Sequence, residues 1–435
     1  MSPSTDRRIR IAVAGADVRS LASSLADGLS REGLDVSSRR LSARTGDWLV
    51  TAQPINDKIK PEAVIVPDQA SRSAIESHNP DVIGDVWVWD GTDRQLPGML
   101  ASRYRPTRRY AGARVGVIGY NLKFFRPIEQ HLRRLPGVEV RVAEWPKFAV
   151  GSPQSTEDVL EWASVIMCEW AGPNAAIASR RRRPDQRLVV RFHRFELERD
   201  EWRDILIDQV DTVVAVGEPY RRRILETTEW PEERLTVIPN LVDLAQMDRP
   251  KVARAALTLG LLGGSPWRKR PDRALDVLEE LRHHDPRWRL HIKGAMPEEE
   301  RWRWEDADYA ARYETQFRRM EALGHAVVWD PAGPDVAEWF RSVGHILSTS
   351  DDESFHLAPA EGMASGTLPV IWPWPGSDEI YEQHWIVDDP AAAANAILSR
   401  NSAHRAAARR EVARFGRERV LPQWEQLLLP VESSP

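Results

Sequence analysis

The chain has 435 residues, 42% of them hydrophobic, and its 60 Lys plus Arg against 65 Asp plus Glu give a net charge of −5. At roughly 100 to 200 residues per domain, this length supports two to four domains with sizeable cores. Charges dispersed along the chain and nearly balanced exclude a disordered acidic tail or a histone-like polycation, so no attraction of the whole protein to nucleic acid is expected.

Cys168 is the only cysteine, which leaves neither an internal disulfide nor a cysteine cluster for zinc, and a reducing, cytoplasmic setting is expected. The opening MSPSTDRRIRIAVAG has a short apolar run that leads straight into a strand-like pattern. No run approaches the ~18 apolar residues of a membrane span, so a soluble protein without a transmembrane segment is expected.

Short β-branched runs that end in small residues and lead into helix-period segments recur three times. The first unit opens with RIRIAVAG (8–15), continues through a helix-like stretch over 17–33 and LDVSSRRL (34–41), and adds the runs AVIVPD and DVWVWD. An Arg-, Pro- and Gly-containing segment, SRYRPTRRYAGA, reads as a linker. The second unit begins at RVGVIGY (114–120), with a helix over 122–135, and then VEVRVAEW, SVIMCEW, RLVVRFH and TVVAVG. After VIPNLVDLAQMDRP (237–250) breaks the pattern, a third unit runs from LTLGLLGG through a helix over 271–283 and the strands RLHIKG, AVVWD, HILSTS and LPVIW. The end, HRAAARREVARFGRERVLPQWEQLLL, is helix-rich with Trp424 and leucines spaced to pack on a neighbour. Alternating strands and helices predict parallel sheets covered on both faces.

The segment STSDDESFHLAPAEGMASGTLPVI (348–371) leaves a strand end, crosses a polar loop, enters a helix near Phe355 to Leu357 and returns to a strand. Ligands of open α/β sheets bind beyond the carboxyl ends of strands. Pro359 is tolerated in the first helical turn, and the free N–H groups of such a terminus favour an anion. Glu353 precedes this helix and Glu361 lies within it, two carboxylates that can accept hydrogen bonds from paired hydroxyls of ribose and sugar rings. In isolation the pair reads as a helix N-terminus with one favourable acid and one solvated one.

The surrounding pattern resembles the signature of glycosyltransferase family 4, retaining GT-B enzymes that use nucleotide-sugar donors. The resemblance rests on ESFHLAPAEGMASGTLPVI (353–371), LGLLGGSPWRKRPDRALDVLEEL (259–281) and VIPNLVDL (237–244), which stand in the family's order. It implies an α/β, GT-B architecture: two facing Rossmann-like domains over 113–245 (acceptor) and 246–410 (donor). A C-terminal helix within 411–435 would cross back, and an additional N-terminal α/β domain over 1–112 would have no assigned role. By the same resemblance Glu361 binds the ribose hydroxyls, Glu353 the donor sugar, and the backbone at Ser354, Phe355, His356 and Leu357 the diphosphate. Lys269, after the Gly263–Gly264 turn, matches the lysine that neutralises the leaving diphosphate, where negative charge grows as the glycosidic bond breaks. His193 matches a histidine that faces the donor sugar across the cleft.

Two positions depart from the family. An arginine that often follows the first loop glycine is replaced by Gly264 or Ser265, and Arg268 or Arg270 is the candidate substitute, since a guanidinium can clamp phosphate from a neighbouring position. The glycine-bearing loop after the first strand reads NLKFF. The expected reaction is transfer of a sugar from a nucleotide diphosphate donor, UDP-sugar favoured, to an acceptor hydroxyl. No metal and no other cofactor are expected, because Lys269, an arginine and the helix N-terminus supply the positive potential. The alternatives are a nucleotide-sugar epimerase or pseudo-glycosyltransferase on the same scaffold, and a non-catalytic nucleotide-sugar-binding protein. Self-association through the N-terminal domain stays open. Asp306 and Asp308 form a metal-style pair, but in a charge-dense helical stretch that reads as a solvated face.

Overall fold

The computed structural model describes residues 9–14, 19–31, 36–40, 48–51, 63–78, 86–89, 110, 112–146 and 154–429. Contacts divide the chain into two units, Met1–Arg109 and Tyr110–Pro435. Most of the segment read as a linker lies outside the described residues.

In the first unit, strands β1 (Ile9–Ala14), β2 (Val36–Arg40), β3 (Trp48–Thr51), β4 (Ala63–Val66) and β5 (Val86–Val88) form a parallel sheet in the order β2-β1-β3-β4-β5. Helices span Arg19–Arg31 and Gln69–His78. β3 and the second helix carry no clear sequence signal: WLVT is too short to show a period, yet β3 pairs with both β1 and β4 at the centre of the sheet.

The second unit holds two parallel sheets. β6 (Ala113–Tyr120), β7 (Val138–Trp145), β8 (Val165–Glu169), β9 (Arg187–Arg191), β10 (Thr212–Ala215) and β11 (Leu235–Val237) are ordered β11-β10-β9-β8-β6-β7. β12 (Thr258–Leu262), β13 (Arg289–Lys293), β14 (Val327–Asp330), β15 (His345–Ser348) and β16 (Leu368–Ile371) are ordered β14-β13-β12-β15-β16. Helices cover these sheets, so burial does not alternate along the strands: every residue of the internal strands β8 and β15, and of the edge strand β16, is buried. Each fully buried Val or Leu there contributes about 1.5–3 kcal/mol relative to exposure.

The sequence predicts one helix over 122–135. The structure instead has a 3₁₀ turn at Leu122–Phe124 and then a helix at Arg126–Leu132. Asn121, in left-handed backbone at φ 44°, turns the chain off β6, and Pro127 in the first turn suits a fresh helix start. The C-terminal region is two helices, Ser402–Val412 and Arg417–Leu428. The first packs on the second sheet's side, where Ala408 and Val412 share a core with Ala360 and Met363. The second crosses to the other half: Val420, Leu421, Trp424 and Leu428 join the core of β6, and the Trp424 ring meets Phe125 edge-on at 6.1 Å.

The two halves of this unit also meet at the carboxyl ends of their strands. Asp352, after β15, accepts from Arg223 at 2.7 Å and from Arg194 at 3.3 Å, both arginines belonging to the first half. Arg222 pairs with Glu379 beside them. Gly376 is pressed so closely to Pro219 that a Cβ there would sit 2.2 Å from the proline ring.

Candidate active site

The donor-side cluster is built from two connections that leave neighbouring strands. β12 ends at Leu262, and Gly263 turns the chain at φ 85°. Gly264 lies against the Trp329 ring, where a Cβ would come within 2.5 Å, and its carbonyl accepts from the Tyr313 hydroxyl at 2.6 Å. The connection is longer than the tight strand-to-helix turn expected from sequence. A 3₁₀ turn at Trp267–Lys269 intervenes before the helix Pro271–His284. That extra turn carries Arg268 and Lys269 over to the loop after β15, and Thr349 and Asp351 hold it there through hydrogen bonds with the Lys269 and Arg268 carbonyls.

Glu353 is the hub. Its Oε1 accepts from Lys269 Nζ at 2.7 Å, Arg268 at 2.6 Å and the Ser350 hydroxyl at 2.8 Å. Burial alone would raise this carboxyl, but Lys269, with Arg268, outweighs it and holds Glu353 well below the usual carboxylate range. All three donors converge on one oxygen. Oε2 has no hydrogen-bond partner among the described residues and is not sealed from solvent, which leaves it available to a hydroxyl.

His356 precedes the helix Leu357–Ala364 and sits in left-handed backbone at φ 56°, a costly conformation for a side chain of this size. Three bonds hold it. Lys269 Nζ donates to Nε2 at 3.1 Å, the Ser348 hydroxyl meets Nδ1 at 2.7 Å, and the Tyr381 hydroxyl donates to the His356 carbonyl at 2.7 Å. An ammonium can only donate, so Nε2 accepts and Nδ1 carries the proton. Burial, with Lys269 adding to it, pushes the imidazole down to about 3, which matches a neutral ring. Ser354 and Phe355 lead into this left-handed turn, with Phe355 buried in the core. One turn on, the side chain of half-buried Glu361 has no hydrogen bond among the described residues, and burial lifts its carboxyl to about 7 against the pull of Lys123.

Lys123 belongs to the opposite half, in the NLKFF loop. His193 lies after β9 and is buried against two rings, with Trp170 at 4.2 Å and Phe124 at 5.0 Å between centroids; those rings are themselves 6.1 Å apart, so they flank the imidazole from neighbouring directions and do not enclose both its faces. Its Nε2 is 2.8 Å from Glu169 Oε1, and Arg191 stands 3.6 Å from the same oxygen.

The predicted residues Gly263, Arg268, Lys269, Glu353 and His356 are thus brought together, with Ser354, Phe355 and Leu357 leading into the helix that carries Glu361. Of the two arginines offered as substitutes, Arg268 reaches Glu353, whereas Arg270 is turned to Asp272 and Asp351. Asp306 caps the helix Ala307–Leu323 by accepting from the Asp308 and Tyr309 N–H groups. Sequence reasoning missed Glu169, Arg191 and Trp170, and left Lys123 and Arg194 without roles. A glutamate ending the otherwise apolar strand SVIMCEW was the available signal, because a buried acid requires a partner.

Two family models match the chain: Glycosyltransferase Family 4 over residues 107–246 and Glycosyl transferases group 1 over residues 255–400. Among solved structures, HepE of Anabaena in complex with UDP and glucose is 16% identical, covering 72% of this chain and 99% of that one at TM-score 0.52. HepE with UDP-glucose gives 15%, 72%, 99% and 0.51. A glycosyltransferase from Rickettsia africae is 12% identical over 98% of both chains at TM-score 0.49. No curated protein matches the sequence. The likeness to HepE shows the fold as two facing Rossmann-like domains of the GT-B kind, matching the two sheets β6–β11 and β12–β16.

Proposed function

We propose that this chain, a GT-B glycosyltransferase of the family 4 type, transfers a sugar from a UDP-sugar to an acceptor hydroxyl with retention of anomeric configuration. The observation that carries the reading is the convergence of Lys269, Arg268 and Ser350 on one oxygen of Glu353, directly before a helix N-terminus. A diphosphate at that terminus meets free N–H groups and the positive end of the helix dipole. Glu353 Oε2 then faces the sugar hydroxyls, and Glu361, one turn into the helix, takes the ribose hydroxyls.

As the glycosidic bond breaks, charge accumulates on the leaving phosphate, and Lys269 with Arg268 offsets it without reorganisation because both are already held in place. In this reading acceptor attack comes from the same face as the departing diphosphate, whose oxygen takes the acceptor proton. The positive potential comes from these side chains and the helix terminus, and no metal or further cofactor has a role. The UDP-sugar bound in HepE supports the choice of donor.

Incubation with a panel of UDP-sugars and hydroxyl acceptors, with UDP release and product mass as readouts, tests this. Acceptor-dependent release is expected, and the anomeric coupling of the product by NMR is expected to match that of the donor. An inverted product would defeat the retaining mechanism, and tight UDP binding without turnover would favour a non-catalytic binding protein.

A further inference from the structure

The loop after β6 carries a charge that the proposed chemistry does not use. Asn121 turns the chain at φ 44° and Leu122 is buried in the core, which leaves Lys123 exposed at the carboxyl end of the sheet. Its ammonium stands 4.8 Å over the Phe124 ring and has no hydrogen bond or ion pair among the described residues. Phe124 is itself held, with its ring 5.0 Å from that of His193 and its carbonyl 3.4 Å from the Arg191 guanidinium.

The acids buried in the same half have nothing to offer this lysine. Glu169 Oε1 lies 2.8 Å from His193 Nε2 and 3.6 Å from Arg191, which also donates to Asn240 Oδ1 at 2.5 Å. Sealing a carboxylate and a guanidinium in a core costs several kcal/mol per ion before pairing is counted, so these charges are committed to one another. Glu196 Oε1 accepts from the backbone N–H of Ala171 at 2.8 Å and of His193 at 3.1 Å, and a capping box sets the His193 side chain against the Glu196 backbone N–H. Burial pushes the Glu196 carboxyl up to about 8, so it is largely protonated at neutral pH. Across the cleft, Lys123 and Glu361 feel each other's charge, although no hydrogen bond or ion pair joins them. Burial lowers the ammonium and raises the carboxyl, yet solvent still reaches both side chains. Those conditions are met together on opposite walls of a cleft, where protein encloses the groups and a gap separates them.

The opposite wall is short of positive charge for a diphosphate. Lys269 and Arg268 both touch Glu353, so two cations less one carboxylate leave a single net positive charge, and His356 beside them is neutral. At one negative charge per bridging phosphate, the diphosphate of a nucleotide sugar carries about two. We propose that Lys123 supplies the missing charge: its ammonium reaches from the first half of the cleft onto the donor diphosphate and completes, with Lys269 and Arg268, a cradle that spans both halves. The identity of the ligand rests on the proposed function. An ammonium partly stripped of water with no counter-charge of its own recovers that cost from an anion, and as a compact point charge on a flexible stem it can reach one across the gap.

The test measures UDP and uridine binding to the full chain, by calorimetry for UDP and by NMR titration for the weaker uridine. Lys123→Met, which keeps most of the stem and removes the charge, is expected to lose about 10- to 100-fold in UDP affinity, the scale of a hydrogen bond to a charged group. Uridine affinity is expected to stay unchanged, and the UDP affinity of the variant is expected to fall less steeply with added salt. Unchanged UDP affinity in Lys123→Met would overturn the proposal and leave the proposed function standing. An equal loss for UDP and uridine would also overturn it, because the effect would then lie in the shape of the cleft. So would native UDP affinity combined with a raised KM for an acidic acceptor, which would assign the lysine to the acceptor. A native protein that binds no UDP defeats the proposed function, and the proposal with it.

Discussion

The two halves of the cleft handle buried charge in opposite ways. On the side of β12 to β16, Glu353 gathers Lys269, Arg268 and Ser350 from loops that keep one face toward the cleft, and the strong downward shift of its carboxyl shows that attraction wins over burial. On the side of β6 to β11, Glu169 and Arg191 are sealed from solvent, His193 is buried against the Trp170 and Phe124 rings, and Glu196 is lifted to about 8 because burial wins over its backbone donors. The first arrangement stores positive potential for an anion that arrives with the substrate. The second stores orientation, since groups that cannot move or change charge can only hold an edge in place.

This contrast is open to attack by substitution, and the largest effect is expected at Lys269. Lys269→Ala is expected to lower kcat about 10²- to 10³-fold with a smaller change in UDP affinity, because its charge matters most when the diphosphate departs. His193→Ala, on the orienting side, is expected to cost about tenfold, the scale of one lost hydrogen bond. Steady-state kinetics on both variants decides the matter, and a larger loss at His193 would reverse the assignment of roles.

An intermediate effect is expected at Glu361, where the two halves address each other through Lys123. Glu361→Gln is expected to weaken UDP binding by about tenfold in calorimetry. The pH dependence has a definite sign. With its carboxyl raised from 4.5 to about 7, the hydroxyl-accepting carboxylate form is present above pH 7 and is lost as pH falls through 7. UDP affinity is therefore expected to decline from pH 8 to pH 6 in the unmodified protein, and to change much less in the glutamine variant.

The smallest effect is expected at the clasp between the halves. Asp352 is partly exposed, so its pairs with Arg194 and Arg223 are worth about 0.2–1 kcal/mol each. Asp352→Asn is expected to raise the UDP-sugar KM by up to about fivefold, and added salt is expected to erase most of the difference from the unmodified protein. A difference that persists at high salt would mean that Asp352 does more than join the halves.

How much of this was legible in the sequence follows the same division. The donor side lies in two short stretches, 263–270 and 348–361, each attached to a strand end. The resemblance of those two stretches to the family 4 signature was therefore enough to list Gly263, Gly264, Arg268, Lys269, Glu353, His356 and Glu361 together. What spacing could not supply was the longer turn at Trp267–Lys269, the choice of Arg268 over Arg270, and the left-handed His356, which depend on where the loop after β15 comes to rest. The other side was hardly legible. Glu169, Arg191 and His193 come from β8 and β9 and Phe124 from the loop after β6, and only the parallel register Glu169↔Arg191 places the acid beside its partners.

The sequence by itself determined the alternation of strands and helices and the chemistry of the segments that follow each strand, because hydrophobic period and local motif are properties of neighbours in the chain. The tertiary structure alone decided which strand ends lie side by side, which charges are neutralised and which side chains are sealed from solvent. Those depend on groups far apart in the chain, and their energies are set by a burial that does not exist until the sheets have formed.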